Sequence, residues 1–340
     1  MSRAALAACL LALGLGAEAR AAGTLNLYSW GDYASPELIA KFEQAHDVDV
    51  VITDFDSNDT ALARVAAGGH GLDLAVVASN FLPVWIEQGL VAESRPDQLA
   101  NFKNLDPRWV EVPFDPGRRY SVPWVWGVTG VIADGEVYAG PLDSWAPLLE
   151  PPPELAGRIN VVPEMNEVVG AALMHLGGQP CSEDRELLRR ARDLLLAAKP
   201  SWLSMDFVTK DGYAKGDFAA GMLWNGDALR ARRENPALRF GFPQEGFPLW
   251  MDNIVLLADA PNPENARLFM DFIMAPENAA LITAYSGFAN AVRGSEAFLP
   301  AELRDAPELD PAAAARGVFL TACPPEANEF VTRIWTELQR

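Results

Sequence analysis

Short strand-like segments alternate with helix-like segments along the first part of the chain, and this alternation limits the possible folds more than any other feature. The segment before Gly31 alternates apolar and polar residues, as half-buried strands do, and Ser35 and Pro36 then provide a helix start. Further strands are predicted over 48–52 and 72–77, with helices over 36–46, 60–67 and 82–88. Such alternation is typical of a parallel sheet with helices on both faces. The sequence therefore predicts an α/β fold with a parallel, doubly wound sheet.

Two β-rich segments stand apart from this pattern because they are long for single strands. The first covers residues 119–133 and is interrupted by proline, and the second covers residues 247–257. We interpret them as an outward and a return crossing between two lobes. Helices are also predicted over 142–149, 164–176, 181–198, 228–234, 264–273, 276–286 and 327–338.

The N-terminal residues 1–22 differ in composition from the rest of the chain. Arg3 is followed by an apolar run and then by the small residues around Ala21, which is the pattern of a secretory signal peptide. Since no later apolar run is long enough for a membrane span, we expect an exported protein. In an oxidising compartment Cys181 and Cys323 can form a disulfide, but two buried thiols are an equally good interpretation.

The charge balance and the missing motifs exclude several classes of protein. With 27 Lys and Arg against 46 Asp and Glu, the net charge is −19, which disfavours nucleic acid and anionic lipid as partners. The sequence has no P-loop, nucleophile elbow, dinucleotide fingerprint or Cys-x-x-Cys, and His46, His70 and His175 lack metal-site spacing. We therefore expect neither an enzyme nor a bound metal or cofactor.

A tryptophan followed closely by an aspartate recurs where a strand is predicted to end or cross. The three groupings are Trp30-Gly-Asp32, Trp224-Asn-Gly-Asp227 and Trp250-Met-Asp252. Carboxylates suit the three donors and full charge of an ammonium group, and aromatic faces attract cations. Glu164 and Glu167 add two carboxylates at a predicted helix start. These groupings predict a site for an organic cation.

Each part of this site also has a purely structural interpretation. Asp227 follows Asn-Gly before a predicted helix, so it can be a helix cap, and Glu164 and Glu167 can complement a helix dipole. The aromatic rings around Trp30 can pack against a neighbouring loop. For Trp124 and Trp126, which alternate with apolar residues, packing in the core is the better interpretation.

Six motifs follow one another along the chain: Tyr28-Ser-Trp-Gly-Asp-Tyr33, Phe55-Asp-Ser-Asn58, Asp73-Leu-Ala-Val-Val-Ala-Ser79, Tyr120-Ser-Val-Pro-Trp-Val-Trp-Gly127, Trp224-Asn-Gly-Asp227 and Trp250-Met-Asp252. In this order they resemble the motifs of the periplasmic polyamine-binding proteins of ABC importers. The ending Thr332-Arg-Ile-Trp-Thr336 looks closer to the putrescine-binding branch. The resemblance covers essentially the whole chain after residue 22.

The resemblance implies a two-lobed α/β binding protein of type II, each lobe a mostly parallel sheet flanked by helices. The crossings would lie near residues 127–130 and 250–254. Lobe 1 would comprise residues 23–127 and 253–296, and lobe 2 residues 128–252 and 297–340. A monomer would capture putrescine, spermidine or a similar amine in the cleft and deliver it to an ABC permease in the inner membrane.

Carried over by motif, the ligand contacts fall on Trp30, Asp32, Tyr33, Ser79, Glu167, Trp224, Asp227, Trp250, Asp252 and Phe288. We expect Asp227 and Asp252 to hold one ammonium, while Asp32 and Glu167 hold the rest of the ligand. Two positions depart from the family pattern, because Gly31 stands for the usual Ser and Phe288 for the usual Tyr. Both changes remove a hydroxyl from the expected site.

Other functions remain open at this point. The same fold could bind another amine, ferric iron or an anion, and iron would call for a tyrosine pair that Tyr285 does not offer. An anion would call for Arg or Lys at the cleft. A sensor for a membrane receptor would bind the same ligand. A hydrolase is the enzymatic alternative, and the missing nucleophile and base argue against it.

Overall fold

The structure is a computed structural model that describes residues 23–31, 33–207, 210–310, 312, 316–321 and 323–340. The predicted signal peptide and Asp32 lie outside the described residues. The strands are β1 (Gly23–Trp30), β2 (Val48–Phe55), β3 (Leu74–Ala78), β4 (Glu111–Val112), β5 (Asp115–Pro116), β6 (Ser121–Asp134), β7 (Ile159–Asn160), β8 (Trp202–Ser204), β9 (Ala220–Trp224), β10 (Leu238–Gly241), β11 (Phe247–Leu256) and β12 (Gly317–Phe319).

The α-helices alternate with these strands in both halves of the chain. They are α1 (Pro36–His46), α2 (Asn58–Ala66), α3 (Leu82–Glu87), α4 (Ala146–Leu149), α5 (Met165–His175), α6 (Arg185–Ala198), α7 (Lys210–Ala214), α8 (Asn225–Glu234), α9 (Pro263–Ile273), α10 (Pro276–Ser286), α11 (Ala301–Arg304) and α12 (Pro325–Leu338). Within the described part of the chain, no helix combines the length and apolar character that a membrane crossing requires.

The two long strands β6 and β11 join two sets of parallel strands. The order β2–β1–β3 is parallel, as is β8–β7–β9, whereas β6 and β11 run antiparallel to each other. β6 pairs with β11 up to Val128 and with β9 from Thr129 onwards. β11 pairs with β3 from Asp252 onwards and with β12 up to Leu249. Both changes of partner lie in or beside the predicted crossing segments, and the lobe boundaries themselves stay a prediction.

Three helix starts differ from the sequence-based prediction by three or four residues, and hydrogen bonds of a nearby side chain explain two of them. The helix predicted from residue 142 begins at Ala146, because Ser144 accepts a hydrogen bond from the Ala146 N–H (3.1 Å) and donates one to Glu245 (2.6 Å). The helix predicted from residue 181 begins only at Arg185, where Asp184 caps it. By contrast, α8 begins at Asn225, three residues before its predicted start.

A buried arginine fixes the start of β6 against β11. Arg118 is fully buried and donates to the Trp109 carbonyl (2.6 Å), to Ser121 Oγ (3.1 Å) and to Asn253 Oδ1 of β11 (2.7 Å). Burial lowers its pKa to about 9, and the Asp115 carboxylate opposes that shift. A buried guanidinium with these acceptors avoids the large cost of an unsatisfied buried charge.

Trp124 and Trp126 of β6 are buried too, which confirms their interpretation as core residues.

Cys181 and Cys323 form a disulfide, which decides between the two interpretations left open by the sequence. The Cα atoms are 5.1 Å apart, and the bridge spans 142 residues of sequence. It ties the segment before α6 to the segment before α12, and α12 packs against α5 and α6. The bridge therefore holds the C-terminal helix on the half of the protein that contains α5.

We predict that replacing both cysteines, as Cys181→Ser with Cys323→Ser, lowers the free energy of unfolding by about 2–5 kcal/mol, because a cross-link over a long loop restricts the unfolded chain. Urea denaturation of the variant and of the oxidised wild type measures the difference. Reduced wild type is the matched control and should behave like the variant. Equal midpoints for variant and oxidised protein would contradict the prediction.

Candidate functional site

The predicted ligand contacts lie mainly at strand ends and on the crossing strand β11. Trp30 is the last residue of β1, and Ser79 directly follows β3. Trp224 is the last residue of β9, while Trp250 and Asp252 lie within β11. Carboxyl ends of parallel strands are the usual place for ligands in open α/β sheets.

The remaining predicted contacts lie at the ends of helices. Tyr33 precedes α1, Phe288 follows α10, and Glu167 and Asp227 lie in the first turns of α5 and α8. The structure does not describe Asp32, so its predicted contact remains a prediction.

Four of the predicted residues form a connected group of rings, which we call the aromatic cluster: Tyr33, Trp224, Trp250 and Phe288. The ring centroid of Trp250 lies 6.5 Å from that of Trp224 and 5.1 Å from that of Phe288. Phe288 and Tyr33 are 6.3 Å apart, and all three contacts are edge-to-face. The ring centroid of Trp30 lies 4.4 Å from that of Phe55, the last residue of β2, and its predicted contact with a ligand stays a prediction.

Two glycines that the sequence analysis did not single out make room for these rings. A Cβ atom on Gly127 would lie 2.2 Å from the ring of Trp250, and one on Gly226 would lie 2.5 Å from the ring of Phe288. Any side chain at either position would therefore displace a ring. Both glycines lie in motifs quoted above, Gly127 inside a predicted β-rich run and Gly226 just after a strand, but the sequence did not show which rings they contact.

Glu167 is a buried carboxyl that is held by two donors. Thr129 Oγ1 donates to Oε2 at 2.7 Å, and Trp224 Nε1 donates to Oε1 and Oε2 at 3.2 and 3.3 Å. Burial, with a smaller contribution from the Glu164 carboxylate, raises the pKa of Glu167 to about 8. At neutral pH the group is therefore mostly protonated in the ligand-free protein.

Asp252 is the second buried carboxyl, and it lies on β11 beside the aromatic cluster. The hydroxyl of Tyr33 donates to its Oδ2 at 2.6 Å. Burial raises the pKa of Asp252 to about 6, against the opposite effect of the Tyr33 hydrogen bond. Burial and then the Asp252 carboxylate raise the pKa of Tyr33, so that its hydroxyl stays a donor. Ser79 lies next to this pair, since it exchanges hydrogen bonds with the Met251 backbone.

Neither buried carboxyl has a cationic partner among the described residues. Glu167 and Asp252 form no ion pair with a Lys or Arg within 4.0 Å in that part of the chain. Trp250, two residues before Asp252 on β11, has a buried Nε1 that also has no hydrogen-bond partner there. Two desolvated carboxyls, each hydrogen-bonded to a residue of the aromatic cluster, form a chemical environment that favours an organic cation.

Asp227 differs from these two acids, because it has a cation of its own. Since α8 begins at Asn225, Asp227 and Arg230 are neighbours on one face of the helix, and Arg230 Nη2 donates to Asp227 Oδ1 at 2.6 Å. Asp227 forms no side-chain cap, so the capping interpretation is wrong. The spacing of three residues between Asp227 and Arg230 is visible in the sequence. The pair was not predicted because the predicted helix began at residue 228, after Asp227.

Comparisons with known proteins show similarity over nearly the whole chain. Residues 37–311 match the family described as bacterial extracellular solute-binding protein. The spermidine/putrescine-binding periplasmic protein 1 of Haemophilus influenzae is 29% identical, over 87% of this chain and 83% of its own. The putrescine/agmatine-binding protein of Pseudomonas aeruginosa is 30% identical, over 93% of this chain and 92% of its own. These relatives confirm the resemblance found in the sequence motifs.

A solved structure supports the same conclusion for the fold. The chain is similar to a putative spermidine/putrescine ABC transporter from Listeria monocytogenes, with a TM-score of 0.81 and 29% identity, over 93% of this chain and 98% of that chain. The predicted two-lobed α/β fold of a periplasmic binding protein is thereby confirmed. The chain belongs to the bacterial extracellular solute-binding proteins.

Proposed function

We propose that this protein captures a small di- or polyamine in the periplasm and delivers it unchanged to the permease of an ABC importer. The names of its relatives support this proposal, since they are described as spermidine-, putrescine- or agmatine-binding proteins. The predicted signal peptide in residues 1–22 would export the chain, and a monomer would be sufficient to bind the ligand.

One observation carries the choice of ligand class: two buried carboxyls, Glu167 and Asp252, have no basic partner among the described residues. Removing a carboxylate from water is costly unless a cation and hydrogen-bond donors replace the water. A primary ammonium supplies both, and its aliphatic stem suits the faces of the aromatic cluster. A diamine would thus stabilise two groups that burial destabilises in their charged form.

The proposed contacts are those predicted from the sequence other than Asp227, which is paired with Arg230 at 2.6 Å, and Glu167 and Asp252 are the principal carboxylates. Thr129 would join them by holding the Glu167 carboxyl in place (2.7 Å). The crossing strands β6 and β11 would act as the hinge between lobes 23–127 with 253–296 and 128–252 with 297–340. Binding to both lobes would favour a closed state.

We predict that Asp252→Asn weakens diamine binding at least about tenfold, or about 1.4 kcal/mol, because the ammonium loses its countercharge. The amide still accepts the Tyr33 hydrogen bond, so the fold should be retained. Calorimetric titration with putrescine measures the affinity. Asp217→Asn, at an exposed position, is the matched control and should bind like the wild type. An unchanged affinity in Asp252→Asn would remove Asp252 from the site.

We also predict that the affinity for a diamine increases as the pH rises towards the pKa of Glu167, which is about 8. A bound cation favours the ionised form, so a carboxyl with a pKa of about 8 in the free protein must lose its proton on binding. Affinity should therefore rise at least about tenfold between about pH 6 and about pH 8, where the diamine itself stays charged.

Calorimetry across this pH range tests the prediction, with Glu167→Gln as the matched variant. Glu167→Gln should bind the diamine more weakly than the wild type near pH 8. Its affinity should no longer rise steeply above about pH 6, and the remaining change of affinity with pH should come from the Asp252 carboxyl. A wild-type affinity that does not change with pH would show that Glu167 does not pair with the ligand's charge.

A further inference from the structure

Arg230 interacts with three groups at once: the Asp227 carboxylate, the Ser286 carbonyl and the ring of Phe288. One guanidinium nitrogen donates to Asp227 Oδ1 and another to the Ser286 carbonyl, both at 2.6 Å. The guanidinium carbon lies 5.7 Å from the ring centroid of Phe288, in cation–π range. The side chains are only 31% (Arg230) and 15% (Asp227) exposed, so solvent screens the pair weakly. Asp227 is thus already neutralised by the protein itself.

This ion pair belongs to the candidate site. Phe288, which Arg230 covers, contacts both Trp250 and Tyr33 in the aromatic cluster. The charges of Arg230 and Asp227 both act on the hydroxyl of Tyr33, the group that is bonded to Asp252. Arg230 therefore places a fixed positive charge over Phe288 and near the Tyr33 hydroxyl, which is hydrogen-bonded to the carboxylate that we propose as an ammonium partner.

The number of acids free to bind a cation follows from this arrangement. Of the described acids among the ten predicted contacts, Glu167 and Asp252 lack a basic partner, and Asp227 has one. Among the described contacts, two carboxyls without a basic partner match the two ammonium groups of a diamine, and Asp32 lies outside this count. A third ammonium near Asp227 would have to displace a guanidinium held by three interactions, or lie close to its like charge.

Building on the proposed function, we propose that Arg230 is a specificity-determining residue. It keeps Asp227 from binding an ammonium, so that the site holds a diamine between Glu167 and Asp252 and discriminates against a triamine. This assignment replaces the expectation that Asp227 and Asp252 share one ammonium. Specificity would then come from a repulsive group placed against the longer ligand as well as from attraction to the shorter one.

The test compares putrescine with spermidine, a triamine that contains the same four-carbon diamine. Calorimetric titrations use the full-length mature wild type, Arg230→Gln, Asp227→Asn and the double variant Asp227→Asn with Arg230→Gln. In Arg230→Gln, the ratio of spermidine to putrescine affinity should rise at least about tenfold, because Asp227 becomes available and the repulsion is lost.

The two other variants separate a direct contact from neutralisation by Arg230. Asp227→Asn should weaken putrescine binding at least about tenfold, because it leaves the Arg230 charge unpaired beside the ligand. The double variant removes both charges, so putrescine affinity should return to within about threefold of the wild type. Arg233→Gln, on the same helix and paired with Glu302 at 3.9 Å, is the matched control and should change neither affinity.

An unchanged ratio of affinities in Arg230→Gln would overturn the inference. So would a double variant that binds putrescine as weakly as Asp227→Asn, since Asp227 would then contact the ligand directly. A wild type that binds neither amine would overturn the proposed function, and the inference with it. Circular dichroism of each variant establishes that it is folded before the titrations are compared.

Discussion

The antiparallel pairing of β6 with β11 supports both the fold and the candidate site. Each strand changes partner along its length, and together they connect the parallel strands of the two halves. Arg118, at the start of β6, bonds to Asn253 of β11 from a fully buried position. Gly127 of β6 faces Trp250 of β11, and any side chain there would collide with the indole ring. The register of this pair therefore sets where Trp250 and Asp252 lie.

The chemistry of the site follows from two carboxyls that are buried without a cationic partner among the residues that the structure describes. The Glu167 carboxyl and the Asp252 carboxyl are surrounded by donors and rings, and burial raises the pKa of each. These groups are costly to charge in the ligand-free protein, and a bound ammonium would offset that cost. Asp227 does not have this cost because Arg230 neutralises it. The difference between the acids would decide which amines are bound.

The sequence predicted the parts of the structure that depend on local patterns. The alternation of strands and helices predicted the α/β fold, and the two long β-rich runs correspond to β6 and β11. Motif order predicted the family, and the recurring Trp and Asp residues predicted a site. The structure brings Trp224, Trp250 and Asp252 of that site close to Tyr33 and Phe288.

Interactions between distant segments were not predictable. The contact of Thr129 with Glu167 and the pairing of Cys181 with Cys323 both depend on the folded chain. The Asp227–Arg230 pair was missed for a local reason, since an error of three residues in the start of α8 placed Asp227 outside the helix.

A crystal structure of the protein with putrescine tests the central claim most directly. The account predicts one ammonium nitrogen about 3 Å from a Glu167 oxygen and the other about 3 Å from an Asp252 oxygen, as for charge-assisted hydrogen bonds. The aliphatic stem would lie against the aromatic cluster, and Asp227 would remain paired with Arg230. A diamine bound away from Glu167 and Asp252, or an ammonium on Asp227 with Arg230 displaced, would contradict it.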